Sequence, residues 1–316
     1  MNRSSFTWPA LVRAVASLVL VSAAGCAAVG TRPEAAPVQL FFDDFSYASP
    51  ADMAAAGWQL RDGTGHPGLP GGRFSADAIA LHDDPLQAGN RVLRMTARTD
   101  GTGPGTVQAQ LCHQRKYLQG TYAARIRFSD APRSGVDGDL AVESFYAVAP
   151  LQHAFDPDFS ELDWEYLPNG GWGSEKTRLY GVSWQTVQID PWEAHNSAHE
   201  EFGSFDGWHV LLMQVTKNEV REYVDGRQVA VHDGRNVPVS LMTISFNLWF
   251  AVGGTLPEGG TPRIYDEDID WVFHAKDQVL SPADVDARVR ALREHHTGRT
   301  DTVPAPNPPL PQRCDI

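Results

Sequence analysis

The chain has 316 residues, of which 42% are hydrophobic and 21% are charged, so it is long and apolar enough to bury a sizeable core. Its 39 acidic residues outnumber its 26 lysines and arginines, which gives a formal net charge of −13. This charge argues against nucleic acid as a partner and against direct docking on anionic lipid. It favours a neutral polymer over an acidic one, and we expect a monomer.

Residues 1–25 have the pattern of a secretory signal. Their only charges are two arginines, and the apolar run that follows is too short to span a membrane. The segment ends with two alanines and a glycine before Cys26, which resembles a bacterial lipobox and predicts a lipid anchor on Cys26. Ordinary cleavage with free secretion is the alternative. Residues 26–37 are rich in Ala, Gly and Pro and predict a tether, so we expect a secreted protein that is held at the cell envelope and touches the membrane only through Cys26.

Residues 38–275 predict one all-β domain. Short apolar runs are broken by Gly, Pro, Asn and Asp, and few stretches keep a helical period. This length fits a single β-sandwich.

Cys112 and Cys314 are the two cysteines besides Cys26. In an oxidising compartment they are candidates for a disulfide that pins the C-terminal tail to the domain. Two free thiols are the alternative, because the sequence does not give the distance between them.

The segment Ser160–Tyr166, which reads SELDWEY, carries carboxylates at alternate positions. In a strand, Glu161, Asp163 and Glu165 share one face while the apolar side chains face the other way. A row of like charges costs stability, and the bland interpretation is a solvated edge strand. Retaining glycoside hydrolysis needs such a row, with one carboxylate as the nucleophile and one carboxyl group as the proton donor. Because Glu161 and Glu165 are about 13 Å apart on a flat strand, this chemistry requires the strand to curve.

Aromatic residues after the acid row predict a sugar-binding surface. Residues 168–173 form a Gly-rich turn that presents Trp172, whose ring face can stack on the C–H face of a sugar. The next predicted strand, residues 178–188, places Tyr180 and Trp184 on one face.

Residues 191–201 contain two histidines and three glutamates. Their spacing matches no established metal site, and we expect a loop at the rim of the groove instead. The identity of any metal stays open.

The acid segment resembles the E-[IL]-D-x-E signature of glycoside hydrolase family 16, the family of lichenases and laminarinases. Other segments between residues 40 and 275 resemble strands of this family in the order that the family requires. These segments are Phe41–Phe45, Val92–Ala97, Gly120–Ile126, Trp208–His209, Tyr223–Gly226, Asn247–Trp249 and Asp268–Val272. The resemblance implies a concanavalin A-like jelly-roll β-sandwich with a concave substrate groove.

The resemblance also implies roles for individual residues. Glu161 would be the nucleophile, Asp163 the electrostatic helper and Glu165 the acid and then the base, and this chemistry needs no cofactor. Asp270 matches a position that often helps to bind a structural calcium ion. Calcium takes about six to eight oxygen ligands, so one carboxylate leaves the calcium site an open possibility. The resemblance implies that Asn247, Trp249 and Phe145, with Tyr146 as the alternative to Phe145, bind substrate, and these join Trp172 and Trp184, which the local pattern already predicts.

We therefore predict a retaining enzyme that cleaves internal β-glycosidic bonds of a polysaccharide in an open groove. The resemblance favours a β-1,3- or β-1,3-1,4-glucan. Hydrolysis of an agar-type galactan and transglycosylation are alternatives within the family. A glycan-binding surface protein without turnover is the alternative from another class.

Residues 276–316 predict a short helix and a Pro-rich tail. Ser281 and Pro282 are typical of a helix start, and the apolar residues at 285, 289 and 292 fall on one helical face. We expect this helix to pack on the sandwich or to cap its end.

Overall fold

The computed structural model describes residues 38–84 and 86–315. Its helices are α1 (Pro50–Ala55) and α2 (Pro282–Glu294). Its strands are β1 (Leu40–Asp43), β2 (Trp58–Leu60), β3 (Arg73–Phe74), β4 (Ile79–Asp83), β5 (Arg91–Thr99), β6 (Val107–Tyr117), β7 (Gly120–Phe128), β8 (Ala141–Ala149), β9 (Ser160–Leu167), β10 (Arg178–Gln188), β11 (Glu193–Phe202), β12 (Gly207–Val215), β13 (Glu219–Val224), β14 (Arg227–Asp233), β15 (Met242–Phe250), β16 (Arg263–Lys276) and β17 (Arg299–Asp301).

The predicted signal 1–25, the tether 26–37 and the lipidation site Cys26 lie outside the described residues. No helix in the described part of the chain is long and apolar enough to cross a membrane.

The strands form two layers. The groove layer has the order β2-β6-β15-β8-β9-β10-β11 and is antiparallel throughout. The outer layer contains the series β4-β5-β16-β7-β12-β13-β14, and β1 pairs with both β16 and β17. Pairing of β3 and β5 with β6 joins the two layers. The predicted all-β jelly-roll sandwich is confirmed.

The core lies between the layers and fixes the orientation of β9. Leu162, Trp164 and Tyr166 are fully buried in this core. Because side chains alternate along a strand, the carboxylates of β9 must face the opposite side of the layer. The acid row therefore rests on a rigid apolar backing.

Helix α2 packs on the outer face of the outer layer. The side chain of Ser281 accepts a hydrogen bond from the backbone of Asp284, whose carboxylate accepts one in return, which stabilises the first turn. Val285 and Val289 are buried in a cluster that includes Trp271. The predicted C-terminal helix is confirmed.

The tail after α2 is built into the sandwich: the candidate Cys112–Cys314 disulfide is present, whereas the pairing of the tail as a strand was not predicted. Strand β17 pairs with β1 along its whole length. Lys116 on β6 donates to both carboxylate oxygens of Asp301 at 2.7 and 2.8 Å. Cys112 on β6 and Cys314 in the tail form a disulfide, so the tail is covalently joined to β6 at residue 314.

The segment around residues 191–201 is a strand and not the loop that the sequence predicted. Strand β11 pairs with β10 over residues 193–202 and forms one edge of the groove layer. Most of its side chains on both faces are solvent-exposed. Neither face is apolar, so the period of two that identifies a strand is missing from the sequence.

Candidate active site

The acid row lines a cleft of about 580 Å³ on the open face of the groove layer. Strand β9 lies between β8 and β10, and the register brings polar and aromatic side chains beside each carboxylate. Opposite Glu165 are Ser144 and Tyr180, and opposite Glu161 is Trp184. A cleft of this size, with a mainly apolar lining that includes several aromatic side chains and a few convergent polar groups, is typical of a ligand site.

Burial raises the pKa of all three carboxyl groups. Repulsion from Glu165 raises the pKa of Glu161 further, and repulsion from both glutamates raises that of Asp163 well above its usual range. A hydrogen bond with Asp163 opposes the shift at Glu161, and the Trp172 indole and the Arg178 guanidinium oppose it at Glu165. The row therefore keeps at least one proton at neutral pH, which belongs to the three groups together.

Two indole groups orient the carboxylates. Trp172 Nε1 donates to Glu165 Oε2 at 2.8 Å, and Trp184 Nε1 donates to Asp163 Oδ2 at 2.7 Å. Trp172 has a φ of 45°, a left-handed conformation that is uncommon for residues other than glycine, and its side chain is 43% exposed. Its ring centroid lies 5.9 Å from that of Trp249. The turn thus places one exposed aromatic face beside Glu165.

Strand β15 brings Asn247 and Trp249 to the same cleft. Asn247 Oδ1, Trp249 Nε1 and Ser144 Oγ are buried and have no hydrogen-bond partner among the described residues. Buried polar atoms are normally hydrogen-bonded. These three atoms are therefore candidates for binding hydroxyl groups of a ligand.

Phe145 is not a groove residue, and the prediction that it contacts sugar is wrong. It is fully buried in the core, where its ring is stacked 5.3 Å from that of Phe246. Its neighbour Tyr146 faces the cleft instead. Every residue of β8 is buried, so the sequence does not reveal which face of this strand points to the groove.

Several residues of the cleft were not identified from the sequence. Trp192 carried a usable signal, because it is a tryptophan in a polar segment that directly follows a groove strand. In the structure its side chain is 58% exposed, and its ring centroid lies 6.1 Å from that of Trp184. Cys314 was predicted only as a disulfide partner and Asn196 only as part of the rim segment 191–201, and the remaining residues had no distinctive pattern around them. The missed residues are His66, Gln110, Ser144, Trp192, Asn196, Cys314 and Asp315.

Asp270 does not fit a calcium ion. Its Oδ1 accepts hydrogen bonds from Asn90 at 2.8 Å and Arg293 at 2.7 Å, and its Oδ2 accepts one from Arg125 at 2.7 Å. Two guanidinium groups thus occupy the oxygens that calcium would need. The described residues also contain no group of three His, Cys, Asp or Glu side chains that could hold a metal.

Solved structures with the same fold include a β-glucanase, an endo-glucanase and the catalytic domain of a laminarinase. A β-glucanase from Bacillus licheniformis is 18% identical, with a TM-score of 0.53, over 75% of this chain and 98% of that chain. A glycoside hydrolase family 16 endo-glucanase from Bacteroides ovatus is 15% identical, with a TM-score of 0.54, over 73% and 98%. The laminarinase catalytic domain from Thermotoga maritima is 15% identical, with a TM-score of 0.52, over 76% and 98%.

No family model matches the sequence, and no curated protein matches it. The likeness is therefore carried by three-dimensional structure. The chain has the β-sandwich fold of the lichenases and laminarinases of glycoside hydrolase family 16.

Proposed function

We propose that the protein is a retaining glycoside hydrolase that cleaves β-glycosidic bonds of a polysaccharide. One observation carries the proposal: three carboxyl groups with raised pKa share one face of β9 and open into an aromatic cleft. Carboxyl groups of this kind supply the nucleophile and the acid of glycoside hydrolysis. The shared fold supports the same reaction class.

We assign a role to each carboxyl group from its position in the acid row that resembles the family signature. The Glu161 carboxylate attacks the anomeric carbon while Glu165 gives its proton to the leaving glycosidic oxygen, so a glycosyl ester forms as the glycosidic bond breaks. Glu165, now ionised, then takes a proton from water, and the water oxygen displaces Glu161 from the anomeric carbon. Two inversions retain the configuration. Asp163 holds the proton that keeps Glu161 charged, and Trp184 fixes its position.

The substrate that this site favours is a neutral glycan. A row of acids repels an acidic polysaccharide, and the faces of Trp172 and Trp184 suit the C–H surfaces of pyranose rings. A β-1,3- or β-1,3-1,4-glucan is proposed because the enzymes of like structure are named as β-glucanases and a laminarinase. Asn247 and Trp249 supply polar atoms for the sugar hydroxyls.

The experiment is to incubate the full-length protein with barley β-glucan, laminarin, agarose, carrageenan and xyloglucan and to measure new reducing ends and product sizes. Proton NMR of the first products gives their anomeric form. Oligosaccharides from a glucan, released first as the β anomer, are expected. First release of the α anomer would exclude the retaining mechanism.

The other outcomes select among the alternatives. Cleavage of agarose alone would replace the glucan by a galactan. Products longer than an added oligosaccharide would show transglycosylation through the same ester. Binding of one polymer without any new reducing ends would replace the enzyme by a glycan-binding protein.

We also propose that the protein is secreted and lipid-anchored at Cys26. The proposal rests on the charge and apolar pattern of residues 1–25 and on the small residues before the cysteine. Growth of the expressing bacterium with labelled palmitate should label the wild type and not Cys26→Ala. Equal labelling of both proteins would refute the anchor.

A further inference from the structure

The C-terminal tail enters the cleft that contains the acid row. Cys314 and Asp315 line this cleft together with His66 from the loop after β2. The carbonyl oxygen of Cys314 accepts hydrogen bonds from Gln110 Nε2 at 3.0 Å and from the Tyr146 hydroxyl, and both donors are themselves cleft residues. The tail therefore forms part of the lining of the candidate active site.

Independent interactions hold the tail in this position. The disulfide joins Cys314 to Cys112 on β6. The side-chain amide of Gln312 donates to two backbone carbonyl groups, at 2.8 and 3.0 Å. The carboxylate of Asp315 forms an ion pair with Arg61 at 3.3 Å, and the Arg61 side chain is only 10% exposed. A covalent bond and a half-buried ion pair make this a fixed feature of the cleft.

The tail lies across the outer strands of the groove layer. The carbonyl groups that Gln312 contacts belong to Cys112 on β6 and to Gly57, which directly precedes β2. Strand β2 is the edge of the groove layer, and β6 is three strands away from the acid strand β9. At the usual spacing between strands this is about 14 Å. On this side the open face of the layer therefore ends within a few sugar lengths of the acids.

We propose that residues 66–68 and 312–315 form an end wall that stops the glycan chain, so that the enzyme cuts at a fixed short distance from one chain end. The proposal rests on the proposed glycosidase function and replaces the expectation of internal cleavage in an open groove. The Asp315 side chain is 24% exposed, so its carboxylate can accept hydrogen bonds from hydroxyl groups of the terminal sugar. A groove closed at one end selects chain ends because an internal segment would have to continue through the wall.

The test uses the full-length wild type and a linear glucan that it hydrolyses. Oligosaccharides of increasing length, each with a fluorescent label at the reducing end, are digested to low conversion. The end wall predicts that the fragment released on one side has the same length for every substrate. It also predicts that a cyclic β-glucan, which has no chain end, is hydrolysed at least tenfold more slowly than the linear chain. Fragments of scattered length, or equal hydrolysis of the ring, would overturn the end wall.

A variant that lacks the wall gives a second readout. The chain is ended after Pro311 and carries Cys112→Ser, so that no unpaired thiol is left. The full-length double variant Cys112→Ser, Cys314→Ser is the matched control, because it lacks the disulfide but keeps the tail and the carbonyl group at position 314. A melting curve establishes that each variant is folded.

The shortened chain should release fragments of varied length and lower the viscosity of a glucan solution several-fold more per bond cut than the wild type does. The control should keep the wild-type fragment length. Unchanged fragments from the folded, shortened chain would overturn the end wall. If the wild type hydrolyses none of the glycans, the proposed function itself fails, whereas hydrolysis with scattered fragments contradicts only the end wall.

Discussion

Two groups of buried carboxyl groups in this molecule differ in what they can do. Glu161, Asp163 and Glu165 lie in the groove, and Glu143 and Glu267 lie between the two layers. Burial is the largest cause of a raised pKa in both groups, and repulsion from Glu143 adds to it at Glu267. A raised pKa alone therefore does not distinguish an active site from a protonated core pair.

Access to substrate and donors from side chains separate the two groups, whereas the donor to Glu143 is the backbone N–H of Ser129. Glu143 and Glu267 are fully buried, so no substrate atom can reach them. The groove carboxylates open into a cleft and receive indole N–H donors from Trp172 and Trp184. These donors favour the ionised forms of Glu165 and Asp163 against the burial that favours the neutral forms, and at the proposed nucleophile Glu161 the hydrogen bond with Asp163 opposes burial in the same way. Catalysis therefore depends on carboxyl groups that a substrate can reach and whose pKa is set by two opposing effects, burial and hydrogen bonding.

The largest expected effect is the loss of activity when the groove carboxyl groups are removed. Glu161→Ala removes the nucleophile and should lower kcat by at least about 10⁴-fold. Glu165→Ala removes the general acid and should lower it by about 10² to 10⁴-fold. Glu267→Gln in the core should keep activity within about twofold, as should the control Glu294→Ala on the exposed end of α2. Initial rates on the wild-type substrate measure all four.

The two groove variants can also be told apart. Azide is a small anion that can occupy the space of either lost carboxylate. With an activated glycoside, Glu165→Ala should give the β-glycosyl azide, because azide attacks the glycosyl ester on Glu161 and the configuration is retained. Glu161→Ala cannot form this ester, so azide attacks the substrate directly and should give the α-glycosyl azide. The opposite pairing would exchange the proposed roles, and wild-type rates in both variants would remove the mechanism.

A smaller effect is expected on stability, and it applies to both groups. A carboxyl group with a raised pKa binds a proton more tightly in the folded chain than in the unfolded one, so its contribution to stability is full below its unfolded pKa near 4 and declines as the pH rises. Relative to the wild type, Glu267→Gln should therefore gain at least about 1 kcal/mol in unfolding free energy between pH 5 and pH 8. Urea unfolding at the two pH values measures the difference.

Asp163→Asn is the matched variant from the groove. Its pKa is raised for the same reason, so it should gain stability over the same pH range, but it should lose activity because Asp163 no longer holds the shared proton. The buried histidines 113 and 274, whose pKa values burial lowers to about 3, affect wild type and variants alike and cancel in the difference. Unfolding free energies that stay parallel from pH 5 to pH 8 would contradict the raised pKa values.

The sequence predicted the features in which local pattern and three-dimensional structure agree. On β9 the acids and the apolar residues alternate strictly, so the two faces of the strand were identified in advance. On β8 both faces are buried, and the prediction chose Phe145 where Tyr146 faces the groove. On β11 both faces are polar, so the strand was interpreted as a loop.

The end wall could not be predicted at all. Its tail residues 312–315 have no periodic pattern, and their position depends on contacts with residues 200 or more positions away, through the Cys112–Cys314 disulfide and the Gln312 amide. The sequence could nominate the cysteine pair, because only two cysteines remain after Cys26. It could not show that the bond would place the tail beside Gln110 and Tyr146.

The smallest expected effect concerns the donor that distinguishes Glu165 from a core carboxyl group. Trp172→Phe keeps an aromatic face but removes the N–H group that stabilises the ionised form of Glu165, so the pKa of Glu165 should rise. Since Glu165 must be protonated to act as an acid, the alkaline limb of kcat/KM should move to higher pH, by about half a unit to one unit. Trp192→Phe is the control, because the indole donors to the three groove carboxyl groups are Trp172 and Trp184, so the alkaline limb of this variant should not move. An alkaline limb that moves to lower pH in Trp172→Phe would show that the indole does not favour the ionised form of Glu165. Glu165 would then differ from the core pair Glu143 and Glu267 only in its access to the cleft.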